Sequence, residues 1–447
     1  MISARRMVFR SLISALALAF TTAPALAALS PAEQVMVRTI DAEHDRTLSM
    51  LIKWVNQNSG TLNPEGVRAV GRMIRAELEP LGFTVEWVDM AATHRAGHLI
   101  ARHKGNGRGK RLLLIGHLDT VFEADSPFQH WQVEGNWGHG PGAADDKGGD
   151  AVIVAALRAM KDAGTLPDAD ITVVLTGDEE DVGEPVEVAR GDLIAAGRDA
   201  DVALDFEGLI RDQGRDMGST ARRSAGSWTV KVTATSAHSS GVFTPESGYG
   251  AIYELARIID TFRRELREDK LTYNVGLIGG GTTAALDAGQ IRVEATGKTN
   301  IIPPVAVARG DLRAISVEQI DRTRARMRAI VAQSLPGAHA TISFDEDGYP
   351  PMPPTAGNRA ILEQLNRVNR DAGFPIMAEL DPVKRGAGDI SFVASEVDGL
   401  AGMGPASEGD HTPAEKVDIP SIAQQAKRAA ILMSRLAAEP RQGVARK

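Results

Sequence analysis

The chain has 447 residues, more than one hydrophobic core usually organises, so two domains are expected. Its 58 acidic and 50 basic side chains leave a net charge of −8, with Lys and Arg spread along the sequence, so the basic surplus that a nucleic-acid partner demands is excluded. There is no cysteine, which excludes disulfides, thiolate metal sites and Cys nucleophiles and leaves His, Asp and Glu to hold any metal.

At the N-terminus, Arg5, Arg6 and Arg10 precede an apolar stretch from Leu12 to Phe20, and Ala25-Leu26-Ala27 reads as a cleavage site. This pattern predicts a signal peptide over 1–27, with an apolar run too short to span a bilayer, and hence an exported, periplasmic protein starting at Ala28. No later segment is long and apolar enough to cross a membrane. Amphipathic helices follow over 31–58 and 65–81, then strands over 97–102 and 111–115, a helix over 151–163, and buried strands over 171–175 and 202–206. Strands alternating with helices predict an α/β domain whose mostly parallel sheet is flanked by helices, with ligands bound where loops leave the strands' carboxyl ends.

Near residue 220 the pattern changes. Strands over 228–235, 273–278, 290–296, 305–312 and 340–344 and helices over 248–267 and 317–334 suggest an inserted α+β two-layer domain with an antiparallel sheet. The catalytic domain is therefore expected in two parts, 28–219 and 337–447, with the insert, 220–336, between them. A helix over 358–372 resumes the α/β pattern.

Five short segments carry the chemistry: Gly116-His117-Leu118-Asp119-Thr120, Gly142 to Gly149 with Asp145-Asp146, Thr176-Gly177-Asp178-Glu179-Glu180, Leu204-Asp205-Phe206-Glu207, and Gly409-Asp410-His411-Thr412-Pro413. Two imidazoles and three carboxylates suit zinc-assisted hydrolysis. His117 and Asp119 stand two apart at a strand end, so the carboxylate can orient the imidazole. Asp145 lies in a Gly-rich turn where one carboxylate can bridge two cations, and Asp146 reads as the cap of the next helix. Three successive acids at a buried strand end are costly without cations; Glu180 is assigned to metal and Glu179 to proton transfer. In Asp205-Phe206-Glu207 either acid can bind. His139 is ambiguous, and His238, in Ala237-His238-Ser239, is an imidazole that can stabilise an oxyanion.

Taken together in this order, the motifs resemble the co-catalytic zinc peptidases that include glutamate carboxypeptidase, aminoacylase, dipeptidases and succinyl-diaminopimelate desuccinylase. The stretch from Gly140 to Gly149 is most similar to the bacterial glutamate carboxypeptidase (folate-cleaving) branch. The resemblance implies two zinc ions, one held by His117, Asp145 and Glu207 and the other by Asp145, Glu180 and His411, with Glu179 as base and Asp119 orienting His117. It also implies a cis Asp145-Asp146 peptide, an insert that serves as a dimerisation or lid domain in a homodimer, and His238 reaching the partner's site. Asn300, Arg313 and Gly386 match substrate-binding positions. The implied activity is hydrolysis of a peptide or N-acyl amide bond beside a free carboxylate, with release of a C-terminal glutamate as one form. An aminoacylase or dipeptidase specificity, or an exported peptide-binding protein, are the alternatives. Glutamate-specific members carry a basic residue near the segment that here reads Asp347-Gly348-Tyr349-Pro350, and this chain has no cation there.

Overall fold

A computed structural model describes residues 29–441; the expected signal peptide over 1–27 lies outside them. The first helix, Pro31–Ala42, opens on a capping box in which Ser30 and Glu33 each accept the other's backbone N–H. The single helix expected over 31–58 is two, Pro31–Ala42 and His44–Val55, because the backbone leaves helical geometry at Glu43 (ψ 11°). The helix Pro64–Leu78 follows, with Asn63 capping the Gly66 N–H.

Six strands form the central sheet in the order Thr84–Val88, His98–His103, Ile171–Thr176, Leu112–His117, Val202–Asp205, Gly399–Leu400. His98–His103 runs antiparallel to both of its neighbours, and the other pairings are parallel, so the sheet is mostly parallel as the alternation predicts. Leu112, Leu114, Val173 and Leu175 face a core built with helices Lys147–Asp162 and Ile419–Ala438, whereas Leu113, Ile115 and Val174 face Leu193 and Ile390. Cover on both faces explains why these strands are continuous apolar runs rather than alternating ones.

The insert is a separate antiparallel sheet. Gly226–Ala234 pairs along Val305–Arg313 on one side and along Ala338–Phe344 on the other, and Leu277–Gly281 adds beside Val305–Arg313. Helices Ala251–Glu265 and Val317–Val331 bury Leu255, Ile258, Phe262, Met327 and Val331 against Trp228, Val230 and Val232, which makes two layers around their own core. The sheet extends past residue 336, the boundary expected from sequence, because Ala338–Phe344 completes it. Among the described residues no helix is long and apolar enough to cross a membrane.

Candidate active site

The parallel register carries three of the five segments to one edge. His117 pairs with Thr176, and Ile115 with both Val174 and Asp205, so the loops after these strands emerge side by side. The Asp145 segment does not leave a strand of this sheet. It follows the short hairpin strand Trp137–His139 and precedes helix Lys147–Asp162. Asp146 occupies that helix's N-cap position yet makes no side-chain cap bond, and both its carboxylate oxygens are buried without a hydrogen-bond partner among the described residues. The Asp145-Asp146 peptide is cis.

A second, small sheet explains how the distant fifth segment returns. Lys416–Asp418 pairs with Trp137–His139, and Ser407–Glu408 pairs with Lys416–Val417, so the turn between them folds over the loop that carries Asp145. His139 belongs to this pairing, opposite Lys416, and serves the small sheet. His411, at the turn, has φ 63°, a conformation few non-glycine residues adopt.

Asp145 lies between the two imidazoles. His117 Nε2 is 2.9 Å from its Oδ1 and His411 Nε2 is 3.0 Å from its Oδ2. His411 Nε2 also lies 3.1 Å from Glu180 Oε2. The ligand atoms of His117, Asp145 and Glu180 all fall within 4.8 Å of one another. Nitrogen and oxygen donors at that spacing, two of the side chains sharing opposite oxygens of one carboxylate, fit divalent cations.

The electrostatics of the metal-free protein follow from this crowding. Burial alone would raise Asp145, but the bonds to His117 and His411 outweigh it and hold its carboxyl well below the usual range. Hydrogen bonds to Asp145 and Glu180 push His411 up to about 11, and burial beside Asp145 pushes Glu180 up to about 7. Such a cluster is proton-bound without cations and exchanges protons for them when they bind.

Asp119 is fully buried. Its Oδ1 is 3.4 Å from His117 Nδ1 and accepts the Glu179 N–H at 3.0 Å. Its Oδ2 accepts the Glu180 N–H at 3.1 Å and the Thr61 hydroxyl at 2.6 Å. One carboxylate thus fixes both an imidazole and the peptides of the two glutamates. Burial, reinforced by Glu207, pushes the Glu179 carboxyl well above its ordinary value.

Glu207 stands apart from the His117, Asp145 and Glu180 trio. Its Oε1 faces Arg222 Nη1 at 2.7 Å and its Oε2 faces Arg385 Nη2 at 3.1 Å. Arg222 also reaches Asp205 Oδ2 at 3.1 Å and donates to the Gly386 carbonyl at 2.9 Å and to the Ala387 carbonyl. Burial would raise Glu207, and the two guanidiniums more than offset it, whereas Asp205 is pushed up to about 7 by burial and by Glu207. A Cβ at Gly388 would meet Arg222 Nη1 and Glu207 Oε1, so any larger residue there must displace this ion pair.

A cavity of about 510 Å³ opens over these groups, with Glu179, Glu207, Arg313, Tyr349, Lys384 and Gly386 in its wall. His238 and Asn300 do not line it. They sit together on the insert, where the Ser239 N–H donates to the Asn300 carbonyl at 2.9 Å and His238 Nδ1 lies 2.9 Å from Ser240 Oγ. Sequence reasoning missed Arg385 and Glu415, left Tyr349 without a role, and offered Arg222, with Arg215 and Arg223, as a substitute for the cation lacking near Tyr349, whereas Arg222 pairs with Asp205 and Glu207. Glu415, 1% exposed, accepts the N–H of Ala144 at 3.0 Å and of Asp145 at 3.3 Å. The available signal was charge: acids buried at strand ends demand cations or donors from elsewhere in the chain.

The chain is 30% identical over 450 residues to carboxypeptidase G2 of Pseudomonas sp. (strain RS-16), covering 97% of this chain and 99% of that protein. It is 26% identical over 391 residues to succinyl-diaminopimelate desuccinylase of Azoarcus sp. (strain BH72), covering 84% of this chain and 94% of that protein. Its fold is similar to the crystal structure of an aminopeptidase from Bacillus cereus ATCC 10987, with a TM-score of 0.71 at 20% identity over 88% of this chain and 99% of that one. Residues 113–435, which include all five acidic and histidine segments, match the model of peptidase family M20/M25/M40, and the chain is a hydrolase that belongs to that family.

Proposed function

We propose that the chain is an exported di-zinc carboxypeptidase that cleaves a peptide or N-acyl amide bond beside a free carboxylate and releases an acidic residue such as glutamate. The observation that carries this reading is Asp145 held between His117 and His411, with Glu180 alongside and the Glu179 carboxylate facing the same cavity. His117, Asp145, Glu180, Glu207 and His411 would hold the cations, Glu207 by turning one oxygen from its arginines. Bound divalent cations supply a lowered pKa for coordinated water and polarisation of the scissile carbonyl.

The chain's own groups do the rest. Glu179, whose carboxyl favours the proton through burial, takes one from the attacking water and returns it to the departing amine. Arg313 and Lys384 bring two cationic side chains to the same cavity, tied to Asp311 at 3.0 Å and Asp212 at 2.7 Å, and suit a substrate with two carboxylates. Lys384 supplies the cation that the segment around Tyr349 lacks.

A homodimer accounts for His238 and Asn300. Both lie on the insert outside this chain's cavity, and the same domain exposes Phe243, Ile252, Tyr253 and Ile278, an apolar surface for a second copy. In that arrangement His238 reaches the partner's site and stabilises the oxyanion. Export rests on the signal-peptide pattern over 1–27. The similarity to carboxypeptidase G2 and to succinyl-diaminopimelate desuccinylase supports amide hydrolysis beside a carboxylate.

The test is a panel of dipeptides and N-acyl amino acids with acidic, neutral and basic C-terminal residues, offered to zinc-reconstituted protein. Cleavage that favours acidic C-termini is expected, falling by a factor of about 10²–10⁴ in Glu179→Gln with its metals retained. Turnover by Glu179→Gln near the wild-type rate removes the assigned base. Release of neutral residues only removes the specificity.

A further inference from the structure

Two antiparallel connectors join the insert to the catalytic domain. The outgoing one contains Arg222 and Ala225, the returning one Tyr349 and Met352, and they pair as Arg222 with Met352 and Ala225 with Tyr349. Arg222 and Met352 exchange N–H···O bonds of 2.9 Å in both directions, and the Ala225 N–H donates to the Tyr349 carbonyl at 3.1 Å.

The returning connector reaches the site through Tyr349, which lines the cavity. The Tyr349 hydroxyl donates to the main-chain carbonyl of Glu179 at 2.5 Å, while its ring packs on Phe392 with centroids 5.0 Å apart. The peptides around Glu179 are therefore gripped on two sides. Asp119, from the catalytic domain, takes the N–H groups of Glu179 and Glu180 at 3.0 and 3.1 Å. Tyr349, from the connector, takes the carbonyl. The Glu179 carbonyl and the Glu180 N–H belong to one planar peptide, so releasing the carbonyl loosens that peptide, weakens its hold on Asp119 and lets the Glu179 carboxylate swing.

We propose that Tyr349 is a positioning residue: its hydroxyl holds Glu179 through the backbone carbonyl and ties the placement of that carboxylate to the orientation of the insert. The proposal rests on the reading of Glu179 as the base. Packing does not require the hydroxyl, since a phenylalanine would keep the contact with Phe392. The hydroxyl's one proton is committed to the main-chain carbonyl, so Tyr349 does not donate to substrate in this arrangement. A displacement of about 1 Å in a reacting group costs as much as about 10²-fold in rate, so one hydrogen bond at this carbonyl is enough to register in turnover.

The experiment uses the full-length protein as wild type, Tyr349→Phe and Glu179→Gln, each assayed for kcat and KM on the substrate the panel identifies. Metal content is measured in parallel, and amide hydrogen exchange over residues 177–183 is followed with and without metal. For Tyr349→Phe, kcat is expected to fall about 10- to 100-fold with KM within about twofold of wild type and metal content unchanged. Amide exchange at Glu180, whose N–H shares the released peptide, is expected to rise in both metal states, while strand His98–His103 stays protected. A kcat within about twofold of wild type, an unchanged exchange pattern, or a loss of rate that tracks loss of metal each overturns the proposal. Turnover by Glu179→Gln near the wild-type rate defeats the base reading itself. A Glu179→Gln slowed about 10²-fold or more beside a normal Tyr349→Phe defeats only the role of Tyr349.

Discussion

Replacing Glu415 by glutamine is expected to remove a pH-dependent loss of stability from the metal-free protein. Glu415 Oε1 accepts the N–H groups of Ala144 and Asp145, so this side chain anchors the peptide that presents the carboxylate held between His117 and His411. Burial, aided by the charge of Asp145 and only partly offset by those two N–H donors, pushes its pKa from 4.5 up to about 8. The folded protein then holds a proton that the unfolded chain releases, and stability is full below pH 4.5 and is lost as pH rises toward 8. A rise of 3.5 units (8 − 4.5) corresponds to about 5 kcal/mol, of which about 3.5 kcal/mol falls between about pH 5 and pH 8. Glutamine keeps the Oε1 acceptor and never ionises. Glu180 and Asp205, each pushed up to about 7, act in the same direction in both proteins and cancel in the difference. Urea unfolding of chelator-treated wild type and Glu415→Gln at the two pH values measures it. The wild type should lose about 3.5 kcal/mol more than the variant on going to the higher pH, and parallel losses would refute the buried-acid argument. Glu415→Ala, which strands two buried N–H groups at about 1–3 kcal/mol each, should be weakened at both pH values.

Arg222→Met leaves Asp205 and Glu207 without a guanidinium that now lies 3.1 and 2.7 Å from them, and should cost about 3–5 kcal/mol of unfolding free energy in the metal-free protein. Equal denaturant midpoints would argue that Arg385 alone compensates both acids. Gly388→Ala should cost about 1–3 kcal/mol by forcing Arg222 and Glu207 apart, read as a lower melting temperature, and a variant as stable as wild type would show that the loop gives freely. Zinc added back to chelated protein should stabilise it by about 2.7 kcal/mol at a hundred times the dissociation constant. Asp145→Asn should abolish that gain and His411→Ala reduce it. A full zinc-dependent shift in Asp145→Asn would place the cations elsewhere.

The parallel strands were legible because cover on both faces forces unbroken apolar runs such as Leu112–Ile115 and Val173–Leu175. His117, Glu179, Glu180 and Glu207 were legible for a related reason: each comes at or just after the end of such a run, where ionisable groups have no place unless something compensates them. The route that returns His411 was not legible. Strands Ser407–Glu408 and Lys416–Asp418 hold two and three residues, too few for periodicity to show, yet their pairing with Trp137–His139 decides where the imidazole lands. The break at Glu43 escaped for a similar reason, since one residue leaves helical geometry while the apolar stripe continues through it.

Arg222 and Tyr349 show a different limit. Neither belongs to a helix or a long strand, and nothing in their immediate neighbours marks them. What marks them is the deficit they satisfy: two buried carboxylates at Asp205 and Glu207 need a cation, and a backbone carbonyl at Glu179 needs a donor. Both come from the paired connectors that join the insert to the catalytic domain. A sequence read for deficits as well as periodicity would therefore look for the missing arginines in loops and junctions, since Arg222 comes from a connector and Arg385 from a loop of the catalytic domain, and neither interrupts a strand of the sheet.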